Sequence, residues 1–249
     1  MPSTPHTDVT ASILDVARDG DVTLLTLRRE DRRNALNLEL CRAIHESVQS
    51  AVDDGARVIV ITGAGSAFSS GADLGGVYGP EFLEALYTML HGLTQLSVPV
   101  IAAVNGPAIG AGTQLAIACD LRVADESAVF AVPTAKNGMA VDGWTIRTLA
   151  RLAGTGRARR LMLAAESLGR AEALVAGLVD RPGTVDEAMT WAHEIAKLAP
   201  LALAHNKLIL NGGDDAAIDA SFEAVWASDD VREAAQARSE NRPPVFKGR

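Results

Sequence analysis

The 249-residue chain is 48% apolar and carries a formal net charge of −8 at pH 7, enough apolar material for a sizeable core and no basic field to draw nucleic acid or an anionic membrane. Its two cysteines, Cys41 and Cys119, lie in apolar stretches and are expected to be packed thiols in a reducing cytoplasm, not a disulfide or a metal pair. The opening MPSTPHTDVTAS has neither a basic start nor an apolar stretch, so no signal peptide is expected, and no apolar run reaches the length of a membrane span.

In chain order, residues 13–16 and 21–27 alternate in polarity around Arg18-Asp19-Gly20, which predicts an opening hairpin because Asp-Gly favours tight turns. Asn37 is placed to cap a helix whose Leu38, Cys41, Ile44, Val48 and Val52 recur at helical spacing. Residues 57–62 then read as a buried parallel strand. The alternation repeats as a helix over 80–96, a strand over 98–104, a helix over 110–119 and a strand over 121–124. Beyond Val141 helical patterns take over, at 145–152, 157–165, 171–176 and 185–198, with two more before Arg242. With no linker and no internal repeat, the chain reads as one continuous α/β unit: a core over 10–190 and a helical region over 191–249.

Two loops stripped of large side chains follow buried strands, TGAGSAFSSGADLGG at 62–76 and NGPAIGAG at 105–112. The first lacks the third glycine of a dinucleotide fingerprint, and neither contains the Gly-x-Ser-x-Gly of a hydrolase elbow. The second opens a helix, so the pair can aim two backbone N–H groups at one oxygen, as an oxyanion hole does.

Four motifs, RRNALN (32–37), AFSSGADL (67–74), NGPAIGAG with ACDLRVA (105–124) and RPPVFKGR (242–249), stand in an order that resembles the enoyl-CoA hydratase/isomerase, or crotonase, superfamily from about Asp21 to the C-terminus. The resemblance implies the α/β crotonase fold, a repeated ββα spiral core with a C-terminal helical region that assembles homotrimers and often hexamers. It implies an acyl-CoA thioester as ligand, with coenzyme A arriving as part of that ligand, and neither a separate cofactor nor a metal. By position, Ala72 and Ala111 supply the two oxyanion-hole N–H groups, a type of donor whose loss costs about 2.7–4 kcal/mol. Arg32, Arg33, Ala35 and Leu36 match the stretch that lies along the nucleotide. Lys247 matches a tail that reaches a neighbouring protomer's ligand. Gly75 and Gly76 stand where many relatives have a lysine.

The two glutamates of the hydratases fall on Gln114 and, one residue after Pro133 and four before Gly138, on Thr134. An amide takes no proton near neutral pH and an unassisted threonine hydroxyl is no better a base. Each positioned acid or base commonly contributes about 10²–10⁴-fold, so the pattern resembles an actinobacterial-type branch that binds acyl-CoA in lipid metabolism without hydrating it. A competing reading keeps an active crotonase-type enzyme, a hydratase, isomerase, decarboxylase or thioesterase, that uses Asp142 or another base; Asp142 is equally suited to cap the helix behind it. A third makes the chain a structural or docking protein that binds no acyl-CoA. Asp73 is expected to brace its loop, and Asp120 to pair with Arg122 or cap a turn. Tyr87 and His91 share a helix face where some superfamily members carry a catalytic base. Trp144 and Phe130 are expected in the acyl wall or the core, and His45, His193 and His205 at packed or surface positions.

Overall fold

The computed structural model describes residues 13–75 and 79–249; the polar N-terminal stretch, Gly76 and the beginning of the segment that starts at Val77 lie outside the described residues. The opening hairpin forms as β1 (Leu14–Asp19) and β2 (Val22–Leu27), antiparallel with Asp19 opposite Val22. Its turn is Gly20-Asp21, one residue later than the sequence suggests. Gly20 sits at φ 59°, the left-handed conformation that a two-residue hairpin turn demands of its first residue.

Asn37 caps α1 (Leu38–Asp53) by accepting the Leu40 N–H, and the helix buries Leu40, Cys41, Ile44 and Val48. Then come β3 (Val58–Gly63), α2 (Pro80–Gln95), β4 (Val100–Val104), β5 (Pro107–Ile109), α3 (Ala111–Ala118), β6 (Leu121–Ala124) and β7 (Val129–Ala131). The remainder is α4 (Gly143–Ala153), α5 (Thr155–Leu163), β8 (Ser167–Gly169), α6 (Arg170–Ala176), β9 (Arg181–Pro182), α7 (Val185–Ile195), α8 (Pro200–Leu210), α9 (Asp215–Ala227) and α10 (Asp229–Ser239). The main sheet runs β1-β2-β3-β4-β6-β9 and is parallel beyond the hairpin. A second sheet, β5-β7-β8, has strands of three residues each, too short to show the alternation by which strands are read from sequence.

Both faces of the main sheet are covered, as parallel sheets require. Leu25, Leu27, Ile59 and Ile61 belong to the core shared with α1, α2 and α3. Val22, Val58, Val60 and Ile101 pack with Ala188, Ala192 and Ile195 of α7. The division expected after residue 190 therefore falls inside a helix that belongs to the core. Cys41 and Cys119 are buried and unpaired, and burial pushes each thiol up to about 12. Among the described residues no helix is long and apolar enough to cross a membrane.

The last helices attach through a charged anchor. Lys207 on α8 is 5% exposed; its Nζ lies 2.7 Å from Asp120 Oδ2 and donates to the Val98 carbonyl, while the same carboxylate oxygen accepts the Val100 N–H. Asp120 thus pairs with Lys207, and not with the Arg122 guanidinium as the sequence suggests. Arg122 is buried and turns to Asp180 at 3.2 Å and to the carbonyls of Leu178 and Cys119. Removing one partner of such a pair leaves an uncompensated buried charge. Asp120→Ala is expected to cost about 3 kcal/mol or more in chemical denaturation, and adding Lys207→Met to it should recover most of that loss.

Candidate active site

The loop after β3 is held by groups that sequence reasoning did not assign. Asn34 is fully buried at φ 56°, a backbone conformation asparagine tolerates better than most residues. Its amide donates to the carbonyls of Ala64 and Ala67 at 2.9 and 2.8 Å, and its Oδ1 accepts the Arg29 N–H. Further on, Leu36 N–H donates to Gly71 O and Asp73 N–H to Leu36 O, so the residues on either side of Ala72 are pinned and the Ala72 N–H is left out of the ladder. Ala111 opens α3, where a first-turn N–H has no acceptor within the helix. Neither N–H donates to any described residue.

The two loops are joined backbone to backbone. Ser69 N–H donates to Pro107 O at 3.1 Å and Ile109 N–H to Ser69 O at 2.9 Å. A Cβ on Gly112 would come within 2.3 Å of Ser69 O, and one on Gly106 within 2.4 Å of Ser66 O. Gly71, at φ 101°, would place its Cβ 2.6 Å from Ile109 O and 3.6 Å from Ala111 N. The glycines at 106 and 112 therefore seat the loops on each other. Beside this junction lies a cavity of about 140 Å³, lined by Ala72, Ala111, Gln114, Thr134 and Tyr87, with Phe82, Leu86, Met139 and Val141 as apolar wall.

Gln114 is 3% exposed, and its Nε2 donates to Thr145 Oγ1 at 2.8 Å. Thr145 Oγ1 lies 2.6 Å from Asp142 Oδ1, which also accepts the Thr145 N–H. Asp142 is thus the cap of α4. It does not line the cavity. Its other oxygen faces His91 Nε2 at 3.6 Å, and its N–H donates to the Tyr87 hydroxyl. Tyr87 and His91 stack on their shared helix face, and Trp144 packs edge-on against His91. Trp144 borders a separate cavity of about 720 Å³, and Phe130 is core. His193 meets Asp19, His205 meets Ser221, and His45 is packed with its Nδ1 lacking a partner among the described residues. Sequence reasoning missed Thr145, although its position three residues after Asp142 is the spacing of a side-chain cap.

Residues 17–249 match the family model described as enoyl-CoA hydratase/isomerase. The chain belongs to the enoyl-CoA hydratase/isomerase family, within the crotonase superfamily. A protein of Mycobacterium tuberculosis named probable enoyl-CoA hydratase echA6 is 46% identical over 235 residues, 91% of this chain and 96% of that one. The 2,3-dehydroadipyl-CoA hydratase of Escherichia coli is 35% identical, over 96% of this chain and all of its own. A crystal structure of a putative enoyl-CoA hydratase from Streptomyces coelicolor aligns over the full length of both chains with a TM-score of 0.86 at 31% identity.

In this crotonase-fold chain, Arg32 and Arg33 are exposed. Their carbonyls accept from the Ser70 hydroxyl and Ser70 N–H, and the Arg32 guanidinium lies 3.7 Å from Asp31 Oδ2 at the surface. Ala35 donates its N–H to Arg32 O, and its carbonyl takes the Arg29 guanidinium. Leu36 is buried and uses both backbone groups to position the Ala72 loop. Lys247 is exposed on a tail docked to α10 by its N–H to Asp230 Oδ1, and no residue of that tail lines the cavity.

Asp73 braces its loop through Arg29 Nη2 at 2.9 Å, and that hydrogen bond holds its carboxyl below the usual carboxylate range. A carboxylate depressed by folding adds stability above its unfolded value, about 3.9, and loses it as pH falls through the lower folded value. The stability gap between the native chain and Asp73→Asn should therefore be open at neutral pH and close below about pH 4, followed by denaturation along an acid series. Gly112→Ala, which forces a Cβ into Ser69 O, is expected to cost about 1–3 kcal/mol and to lower the melting temperature.

Proposed function

We propose that the protein binds acyl-CoA thioesters through the Ala72 and Ala111 N–H groups and does not hydrate them at enzymatic rates. One observation carries the reading. Two uncommitted backbone donors border a cavity whose described lining contains no carboxylate, imidazole, lysine or arginine. A thioester carbonyl resting between the two N–H groups is held and polarised, and the same donors favour the enolate that would form from it. Enolate formation or water addition also requires a group that takes up a proton, and Gln114 and Thr134 cannot serve as that base. The protein then resembles a hydratase in what it holds and departs from one in what it can do to it.

Coenzyme A is proposed to lie along residues 32–36, with the exposed Arg32 and Arg33 near its phosphates. Lys247 is proposed to approach the ligand of a neighbouring protomer. A homotrimeric or hexameric assembly is supported by α9, which buries no residue within its own chain and leaves Phe222 and Trp226 exposed. The buried thiols suit a reducing, cytoplasmic setting.

The second reading, an active isomerase, decarboxylase or thioesterase, draws on the Asp142, His91 and Tyr87 contacts. It requires Asp142 to act from a helix cap outside the cavity lining, or another base to take its place.

Calorimetric titration with saturated and α,β-unsaturated acyl-CoAs of several lengths, with enoyl absorbance followed in the same samples, separates the readings. Saturable binding with no loss of absorbance beyond buffer is the expected outcome. Turnover at ordinary rates that Asp142→Asn abolishes without weakening binding would establish the enzyme reading instead.

A further inference from the structure

The side chains behind Gln114 leave its amide only one orientation. The Asp142 carboxylate, at the N-terminus of α4 where the helix dipole favours its charge, is an acceptor only. With Oδ1 at 2.6 Å, the single proton of the Thr145 hydroxyl is committed to it. Thr145 Oγ1 can then only accept from the group on its other side, 2.8 Å away, and that group must be the Gln114 NH₂. A flipped amide would set two oxygens with no proton between them. Gln114 Oε1 is consequently left with no donor among the described residues, yet it is not sealed from the cavity. Thr134, which also lines the cavity, carries a hydroxyl that can rotate to donate or accept. The polarity of Gln114 is fixed.

We propose that Gln114 presents a one-way hydrogen-bond acceptor to the ligand and so selects acyl thioesters that carry a donor, a hydroxyl or an amine, on the β-carbon. The inference rests on the acyl-CoA reading above. Gln114 stands three residues after Ala111 on α3, and residues so spaced on a helix have Cβ atoms about 5–6 Å apart. A thioester whose oxygen rests on the Ala111 N–H therefore carries its α- and β-carbons past the Gln114 amide. A saturated or unsaturated chain offers that oxygen only C–H groups and strips it of water, whereas a β-hydroxyl satisfies it. Thr145 and Asp142 act here as positioning residues, through Gln114.

The test compares dissociation constants of hexanoyl-CoA, trans-2-hexenoyl-CoA and the two epimers of 3-hydroxyhexanoyl-CoA. The favoured epimer is expected to bind about three- to tenfold more tightly than hexanoyl-CoA, the range that one net neutral hydrogen bond supplies. That ratio should fall to about one in Gln114→Met and shrink in Thr145→Val, with Thr145→Ser restoring it because the hydroxyl is restored. Because the readout is a ratio on one sample, partial misfolding of a variant cancels. Equal binding of the hydroxylated and saturated ligands by the native protein, or a preference that survives Gln114→Met, overturns this inference alone. Failure of every acyl-CoA to bind overturns the acyl-CoA reading and this inference with it.

Discussion

Everything proposed for this protein depends on two loops touching backbone to backbone. Ser69 exchanges hydrogen bonds with Pro107 and Ile109, and the bare Cα of Gly112 faces the Ser69 carbonyl. The Ala72 and Ala111 donors come from different loops, so their relative placement is only as good as that junction. Donors fixed in advance spare the ligand the cost of organising them. The buried Asn34 amide and the Arg29 guanidinium brace the same region from the other side. Side chains at this junction would have to be accommodated by moving the donors themselves.

The chain is acidic, yet its aspartates near the site are committed elsewhere. Asp73 is held by Arg29, Asp142 caps α4, and Asp120 anchors Lys207. Each has a hydrogen-bonded partner, and none of the three lines the cavity. Backbone N–H donors can bind and polarise a thioester without any titratable group, so the proposed pair of donors and a described lining without proton carriers are physically compatible. The Gln114 amide has a different kind of value in the proposed site: it cannot move a proton, but the orientation set by Thr145 gives it a fixed hydrogen-bond polarity.

Buried charge also ties the layers of the fold together. Lys207 links α8 to the start of β4 and the end of α3, and Arg122 links β6 to the segment before β9. Such pairs contribute little net stability relative to apolar packing, but they penalise every arrangement that separates the partners. The C-terminal helices are held to the core by that anchor, and also by Asn211 donating to Thr94 O, while Phe222 and Trp226 of α9 remain exposed within the chain.

The sequence by itself determined the order of strands and helices in the core, the family, and the neutral character of positions 114 and 134. These follow from local periodicity, from turn residues and from motifs short enough to be read in one stretch. It could not reveal the three-residue strands of the second sheet, because three residues carry no period. Nor could it reveal which charge meets which: Asp120 lies two residues from Arg122 but its partner is 87 positions away, at 207. The glycines at 106 and 112 were legible as a clearing, yet only the fold shows that another loop fills it. Likewise Gln114, Asp142, Tyr87 and His91 were visible one by one, while the contact through Thr145 that gives Gln114 its direction exists only after α3 and α4 pack. Hydrogen-bond polarity passes from neighbour to neighbour in space, and spatial neighbours are what tertiary structure alone decides.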